Sequence, residues 1–291
     1  RKRHTFKDQH SPHPYNAPKY GRTVQFAPNI PDQSELSQDD NKFLEQVLGS
    51  LLYYAMAIDC TMLVAINSVA VNKKFGMQST MDAIVQLLDY AATHPDAEVT
   101  FHKSDMILKI HSDASYLSEY GARSRVGGYF FLGNNTTDYI DINGPIAIEC
   151  SLLKNIVSSA AEAELGGVFT NATRACGMRT ALEEMGHPQP ATPICTDNTT
   201  AHDLVADRIK QRRSRAFDMR YFWVRDRVKQ GQFHIYWRPG LFNLADYFTK
   251  HHPTSHHRKM RNIYLTPPVA KLAQAMNGLF CAQQPRGCIN P

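Results

Sequence analysis

The interval between apolar residues changes at about Val99, and this change limits the possible folds more than any other feature of the chain. Before it, the segments "NKFLEQVLGSLLYYAMAI", "TMLVAINSVAVNKK" and "TMDAIVQLLDYAATH" carry apolar residues three and four apart, which predicts three short-looped helices. After it the interval falls to two. In "MILKIHSDAS", Met106, Leu108 and Ile110 share one face, and Ile107, Lys109, His111 and Asp113 take the other. Strands are predicted over 106–113, 126–132 and 145–151, then a long helix over 158–185 ended by "GHPQP". A short strand, "TPICTD", stops at Asp197; a basic helical stretch covers 199–229; a strand lies in "QFHIYWRP"; and a last helix opens near Asn243. The order β-β-β-α-β-α-β-α after a small helical bundle implies an α/β fold, a mixed five-stranded sheet with helices on its faces.

At 291 residues the chain is long for one domain, so two modules are expected. Residues 1–40, rich in Pro, His and polar groups, read as an extended or poorly ordered lead-in. The bundle occupies 41–98, the sheet domain 99–260 and a tail 261–291. With 43% hydrophobic and 20% charged residues, disorder should be local. The most apolar run, "VLGSLLYYAMAIDCTMLVAINSVAV", is interrupted by Asp59 and reads as two packed helices, with no membrane partner implied. Six scattered cysteines, without a C-x-x-C pair, predict reduced thiols in an intracellular protein. The start "RKRHTFKDQH", without Met or an apolar signal region, reads as a piece of something longer.

Four acids fall at telling places: Asp113 in the first strand, a glutamate in "SSAAEAEL", Asp197 at a strand end and Asp246 in "FNLADYFTK". Each alone reads as a cap or a solvated helix residue. Brought together they would repel one another and raise each other's pKa unless cations lay between them. The chemistry that requires such a set is two-metal phosphodiester hydrolysis, with oxygen ligands suited to Mg²⁺.

Residues from about 104 to 260, with "SDASY", "RSRVGGYFFL", "LLKNIVSSAAEAEL", "TDNTTAHDL" and "NLADYFTKHH", resemble the ribonuclease H domain of copia-type retrotransposon polyproteins. Residues 10–100 resemble the segment after the polymerase palm, where the reverse transcriptase thumb lies. The resemblance implies a ribonuclease H-like fold and a two-metal endonuclease using Mg²⁺, with Mn²⁺ as a substitute, that cuts the RNA strand of RNA–DNA hybrids. It makes Asp113 the acid shared by both ions, and Asp197 and Asp246 further ligands. Glu162 and Glu164 lie about 200° apart on a helix, so only one can face the strand acids. The apolar stripe Ala161, Leu165, Val168, Ala172, Ala175 and the family's Glu-Leu or Glu-Tyr pairing both favour Glu164. A glutamate on the first long helix also argues against the related strand-transfer enzymes, which carry theirs on a late one. The resemblance further implies the polymerase palm and fingers of the same polyprotein as partners, and a place in cytoplasmic virus-like particles or the nucleus.

Two departures stand out. No Tyr-x-Asp-Asp hairpin is present, the sole Asp-Asp pair being Asp39-Asp40, so this chain should not polymerise. The mobile His that many relatives carry before the last acid is missing from "WRPGLFNLAD"; His234 precedes that loop on a strand, and Arg238 is the available substitute. The alternative to an enzyme is an inactive nucleic-acid-binding remnant. For either, the basic run from Arg208 to Lys229, with Lys210, Arg212, Arg213 and Arg215 near its start, offers phosphate contacts, and the net charge of +5 is compatible with a polyanion. Tyr221, Phe222 and Trp223 within it read as core. His251, His252, His256 and His257 read as a polar surface segment rather than a zinc site.

Overall fold

The computed structural model describes residues 5–15, 36–73, 78–119, 123–136, 141–154, 157–199 and 215–267. Helix α1 (Gln38–Ala57) is capped by Ser37, whose hydroxyl accepts from the Asp40 N–H, and Asp39 and Asp40 complement the helix dipole. A 3₁₀ turn at Cys60–Met62, capped by Asp59, leads into α2 (Leu63–Asn72), and α3 (Gln78–Thr93) completes the bundle. The apolar run is thus folded as α1, the turn and α2. Among the described residues no helix is long and apolar enough to cross a membrane.

Strands β1 (Ile107–Glu119), β2 (Arg123–Gly133), β3 (Pro145–Leu152), β4 (Thr192–Thr196) and β5 (Phe233–Trp237) form one sheet in the order β3-β2-β1-β4-β5. The first three pair antiparallel, while β4 lies parallel to both β1 and β5. Helix α4 (Ala160–Glu184) connects β3 to β4, α5 (Arg215–Lys229) lies between β4 and β5, and α6 (Thr254–Leu265) closes the described chain. This mixed sheet is the one the element order predicted.

Two elements differ from the sequence reading. Strand β1 does not stop at Asp113. Its antiparallel partner continues, pairing Asp113 with Gly127 and Ala114 with Val126, before the register shifts between Ser115 and Glu119. The loss of apolar alternation marks where the parallel neighbour β4 ends, not where the strand ends. Nor does Asn243 open the last α-helix. It caps a 3₁₀ turn, Leu244–Phe248, and α6 begins only after Pro253, which has no N–H with which to continue a preceding helix.

Alternation along β2 supplies both faces of the sheet. Phe130 joins Leu108, Ile110, Ile194, Phe233 and Ile235 under α4 and α5. Tyr129 and Phe131 point the other way, into a second core with Leu44, Leu63, Ile66 and Leu87 of the bundle and Phe248 and Tyr264. The boundary drawn between 98 and 99 therefore separates helices from strands but not one core from another, and α6 runs across residue 260. Residues 5–15, read as part of a poorly ordered lead-in, lie along α3: the Gln9 N–H donates to Thr93 Oγ1 at 2.9 Å and Gln86 Nε2 to the Ser11 carbonyl at 3.1 Å. Buried His13 then stacks on His251 at 4.0 Å between ring centroids. His252 and His257 are likewise buried, against the surface expectation.

Buried polar groups join bundle to sheet domain. Asp59, 1% exposed, accepts from Thr61 (N–H 3.2 Å, Oγ1 2.5 Å), from Tyr90 OH at 3.4 Å and from Arg261 Nη2 on α6 at 3.3 Å. Arg261 Nε also donates to Tyr90 OH, and His257 bridges Tyr90 to Tyr247, whose hydroxyl donates to the Thr61 carbonyl. Removing the carboxylate strands a guanidinium and a phenol in a largely buried site, so Asp59→Ala should cost about 3 kcal/mol. Bundle and sheet should unfold together in one calorimetric transition. Two separated transitions in the unmutated chain would show that they fold apart.

Candidate active site

The parallel register of β1 and β4 pairs Ile110 with Ile194 and His111 with Cys195. Two residues further along each strand stand Asp113 and Asp197, side by side beyond the last paired rung. This is the crevice outside the carboxyl ends of parallel strands, where α/β sheets leave backbone and side chains accessible to a ligand. Helix α4 crosses β1 closely there. A Cβ on Gly167 would stand 3.2 Å from the Asp113 carbonyl and 3.3 Å from Ala114 Cβ, so a larger residue would lift the helix away.

The first turn of α4 decides between its two glutamates. Ser159 caps the helix by accepting from the Glu162 N–H, and the Glu162 carboxylate reaches back to accept from Ser158 N and Oγ, both at 2.7 Å. This is a capping-box variant in which the glutamate reaches one residue past the cap, and it engages Glu162 at the helix start. Glu164 is directed to the other side. One carboxylate oxygen from each of Asp113, Glu164 and Asp197 lies within 4.8 Å of the others, and buried Glu164 Oε2 makes no hydrogen bond.

Asp246 stands beside this trio without joining it: its Oδ1 accepts from Lys250 Nζ at 2.5 Å. The corner carrying Asp246 is fixed from several sides. The Leu244 N–H donates to His111 Nδ1 at 3.0 Å, Asn243 Nδ2 to the Ser112 carbonyl at 2.9 Å, and Thr249 Oγ1 to Asp113 Oδ2 at 2.6 Å. Gly127 admits the corner, since a Cβ there would collide with the Ala245 carbonyl. His111, Asn243 and Thr249 are positioning residues that the sequence reading missed. Only the position of His111, two before Asp113 on the same strand face, signalled any of them.

Burial raises the Asp113 pKa to about 7, with the neighbouring charges of Asp246 and Asp197 adding to it and the Thr249 hydroxyl opposing. Glu164 is pushed well above the usual range by burial and then by Asp113 and Asp197, and Asp197 is raised by burial with Asp246 contributing. Burial holds His111 down at about 3, helped by the cations Arg238 and Lys109, so its Nδ1 serves as an acceptor. A compressed set of hard oxygens with one unpartnered buried atom fits a divalent cation such as Mg²⁺. Among the described residues this is the one group of His, Cys, Asp and Glu so placed; the histidines from 251 to 257 form none.

Lys210, Arg212 and Arg213 lie outside the described residues, as does the side chain of Arg215, whose backbone opens α5. Further along α5, Arg225 stacks on Tyr221 and Phe222 at 5.2 and 4.8 Å, and Arg227 on Trp223 at 5.1 Å. Tyr221 is core and Trp223 packs against it, as read from the sequence, but Phe222 is 46% exposed. Arg238 lies over Phe242, and Trp237 Nε1 donates to the Asp197 carbonyl at 2.8 Å.

Sheet order and the position of the acids define a ribonuclease H-like fold. The chain is similar in sequence to part of retrotransposon Gag-Pol polyproteins. It is 22% identical over 246 residues to the transposon Ty1-JR1 Gag-Pol polyprotein of Saccharomyces cerevisiae and 22% identical over 241 residues to that of Ty1-JR2. These matches take in 80% and 79% of this chain but 14% and 13% of the length of those polyproteins. No family model matches. Two solved structures superpose loosely: the N-terminal RNase H domain of a Mycobacterium tuberculosis protein (14% identity, 49% of this chain and 95% of that one, TM-score 0.35) and an RNase H1 isolated from compost (9%, 50% and 93%, TM-score 0.36). Scores this low carry no weight beside the sheet order itself.

Between pH 4 and 7 folded Asp113 keeps a proton that the unfolded chain has lost. Its contribution to stability is therefore complete below about pH 4 and falls as pH rises toward 7. In EDTA, the melting temperature should decline across this window by roughly 5 °C more than in Asp113→Asn, and Mg²⁺ at pH 7.5 should recover that loss in the unmutated protein. Identical profiles for the two proteins in differential scanning fluorimetry would refute the raised Asp113 pKa.

Proposed function

We propose that this chain is a ribonuclease H that cuts the RNA strand of RNA–DNA hybrids within a copia-type retrotransposon polyprotein, leaving 3′-hydroxyl and 5′-phosphate ends. The observation that carries the reading is the gathering of Asp113, Glu164 and Asp197 around an unpartnered carboxylate oxygen at the carboxyl ends of parallel strands. These three, with Asp246, would hold two Mg²⁺ or Mn²⁺ ions. When bound, the cations supply Lewis-acid stabilisation of the charge developing on the phosphate and a lowered pKa for the attacking water.

The chain's own residues do the rest. Asp113, steadied by Thr249, would be the ligand shared by both ions. Asp197 is held through its backbone by Trp237, and Glu164 closes the cluster from α4. Lys210, Arg212, Arg213 and Arg215 supply phosphate contacts along the substrate, and Arg238 stands in for the missing loop histidine. The bundle represents the thumb-like segment of a reverse transcriptase, whose palm and fingers grip the hybrid in the full polyprotein. The site of action is the virus-like particle in the cytoplasm, or the nucleus. A second reading, a nucleic-acid-binding remnant that does not cut, draws support from Asp246, which is engaged with Lys250.

The test is cleavage of labelled hybrid, duplex DNA and duplex RNA with and without Mg²⁺. Asp113→Asn and Asp197→Asn should abolish hybrid cleavage and change hybrid affinity by less than about tenfold, because phosphate contacts carry binding. Cleavage undiminished in both variants removes the assignment, and hybrid binding without cleavage by the unmutated chain favours the remnant. Replacing Arg212, Arg213 and Arg215 by Ala should flatten the salt dependence of binding by about 0.7 to 0.9 in log-log slope for each phosphate no longer neutralised.

A further inference from the structure

Three acids converge and the fourth does not. Asp246 is turned to Lys250, one turn further along, with Oδ1 and Nζ 2.5 Å apart. The backbone under both is fixed: Asn243 caps the turn, His111 holds the Leu244 N–H, and Thr249, between the partners, bonds Asp113. The side chains are less confined, with Lys250 51% and Asp246 25% exposed. The same ammonium also interacts electrostatically with Asp113 and Asp197. A side-chain cation therefore occupies the flank of the cluster on which a second metal ion would need Asp246.

We propose that Lys250 is a built-in counter-ion that divides the metal site into two unequal halves. Asp113, Glu164 and Asp197 are already gathered for a first divalent ion. Asp246 becomes a ligand for a second ion only as Lys250 releases it, so that ion binds in exchange for an ammonium. The proposal rests on the two-ion reading above. Lys250 is a positioning residue in this scheme: it acts through Asp246 and sets the metal concentration at which the fourth acid is recruited.

Titration of the full chain with Mn²⁺ alone, with free ion counted by electron paramagnetic resonance, tests this without any measurement of activity. The unmutated protein should show a stronger and a weaker class of site. Lys250→Met should tighten the weaker class by about fivefold and narrow its gap from the stronger one, while Lys250→Arg, which keeps the charge, should preserve the gap. In an Asp246→Asn background the weaker class should be lost and Lys250→Met should not restore it. An unchanged weaker class in Lys250→Met, an Arg variant that behaves like the Met variant, or two equal sites in the unmutated protein would each overturn the counter-ion role while leaving the metal site standing. Absence of any Mn²⁺ binding to the unmutated protein would overturn the metal reading and the counter-ion role together.

Discussion

Repulsion among Asp113, Glu164 and Asp197 is the interaction that the surrounding structure is arranged to contain. Parallel pairing of β1 with β4 brings the two aspartates level, and the close crossing of α4 at Gly167 brings the glutamate down onto them. Left alone, such a group would spread or protonate. Here it is held by elements that each have another anchor. Ser159 and Glu162 fasten the start of α4, Trp237 fixes the Asp197 backbone, and His111, Asn243 and Thr249 fasten the corner that carries Asp246. The sheet core beneath is apolar, so stability is supplied away from the site and spent at it.

Much of this was legible in the sequence, and the parts that were not have physical reasons. Alternation along residues 106–113 identified β1 because one face of that strand is buried under α4, and the element order predicted the mixed sheet. The choice between Glu162 and Glu164 had a local signal as well: Ser159-x-x-Glu162 is a capping-box spacing, and its use by Glu162 leaves Glu164 free to face the strands. The 3₁₀ corner at Leu244–Phe248 was harder to read, because its apolar spacing resembles that of an α-helix and what stops it is Pro253 and the contacts of His111 and Gly127. Periodicity also reports that a helix has an apolar face without naming its partner, so the packing of the bundle against Tyr129 and Phe131 was not deducible. The histidines from 251 to 257 were misjudged for a related reason. His252 and His257 follow the corner inward, where tyrosine rings and hydroxyls cover them.

The helical bundle has a definite relation to the site even though, among the described residues, it supplies none of the acids. Tyr247 and Phe248, immediately after Asp246, lie in the core that the bundle shares with the sheet. The Tyr247 hydroxyl is held by the Thr61 carbonyl of the bundle and by His257. The position of the fourth acid is thereby referred to two surfaces at once, the end of the sheet and the helices behind it.

The shared core has a further consequence for the continuity of the chain. Residues 95–106 connect α3 to β1 without a helix or strand of their own, while the contacts of Asp59, Tyr90 and Thr61 with Arg261, His257 and Tyr247 cross between the parts on either side. The strap at 5–15 adds a second tie, from α3 to His251. A protease that cut this connector would therefore break a covalent bond without parting the pieces. The nicked protein would migrate as one particle in solution and as two bands only after denaturation, so the peptide link between the helical bundle and the sheet domain is dispensable for keeping them assembled.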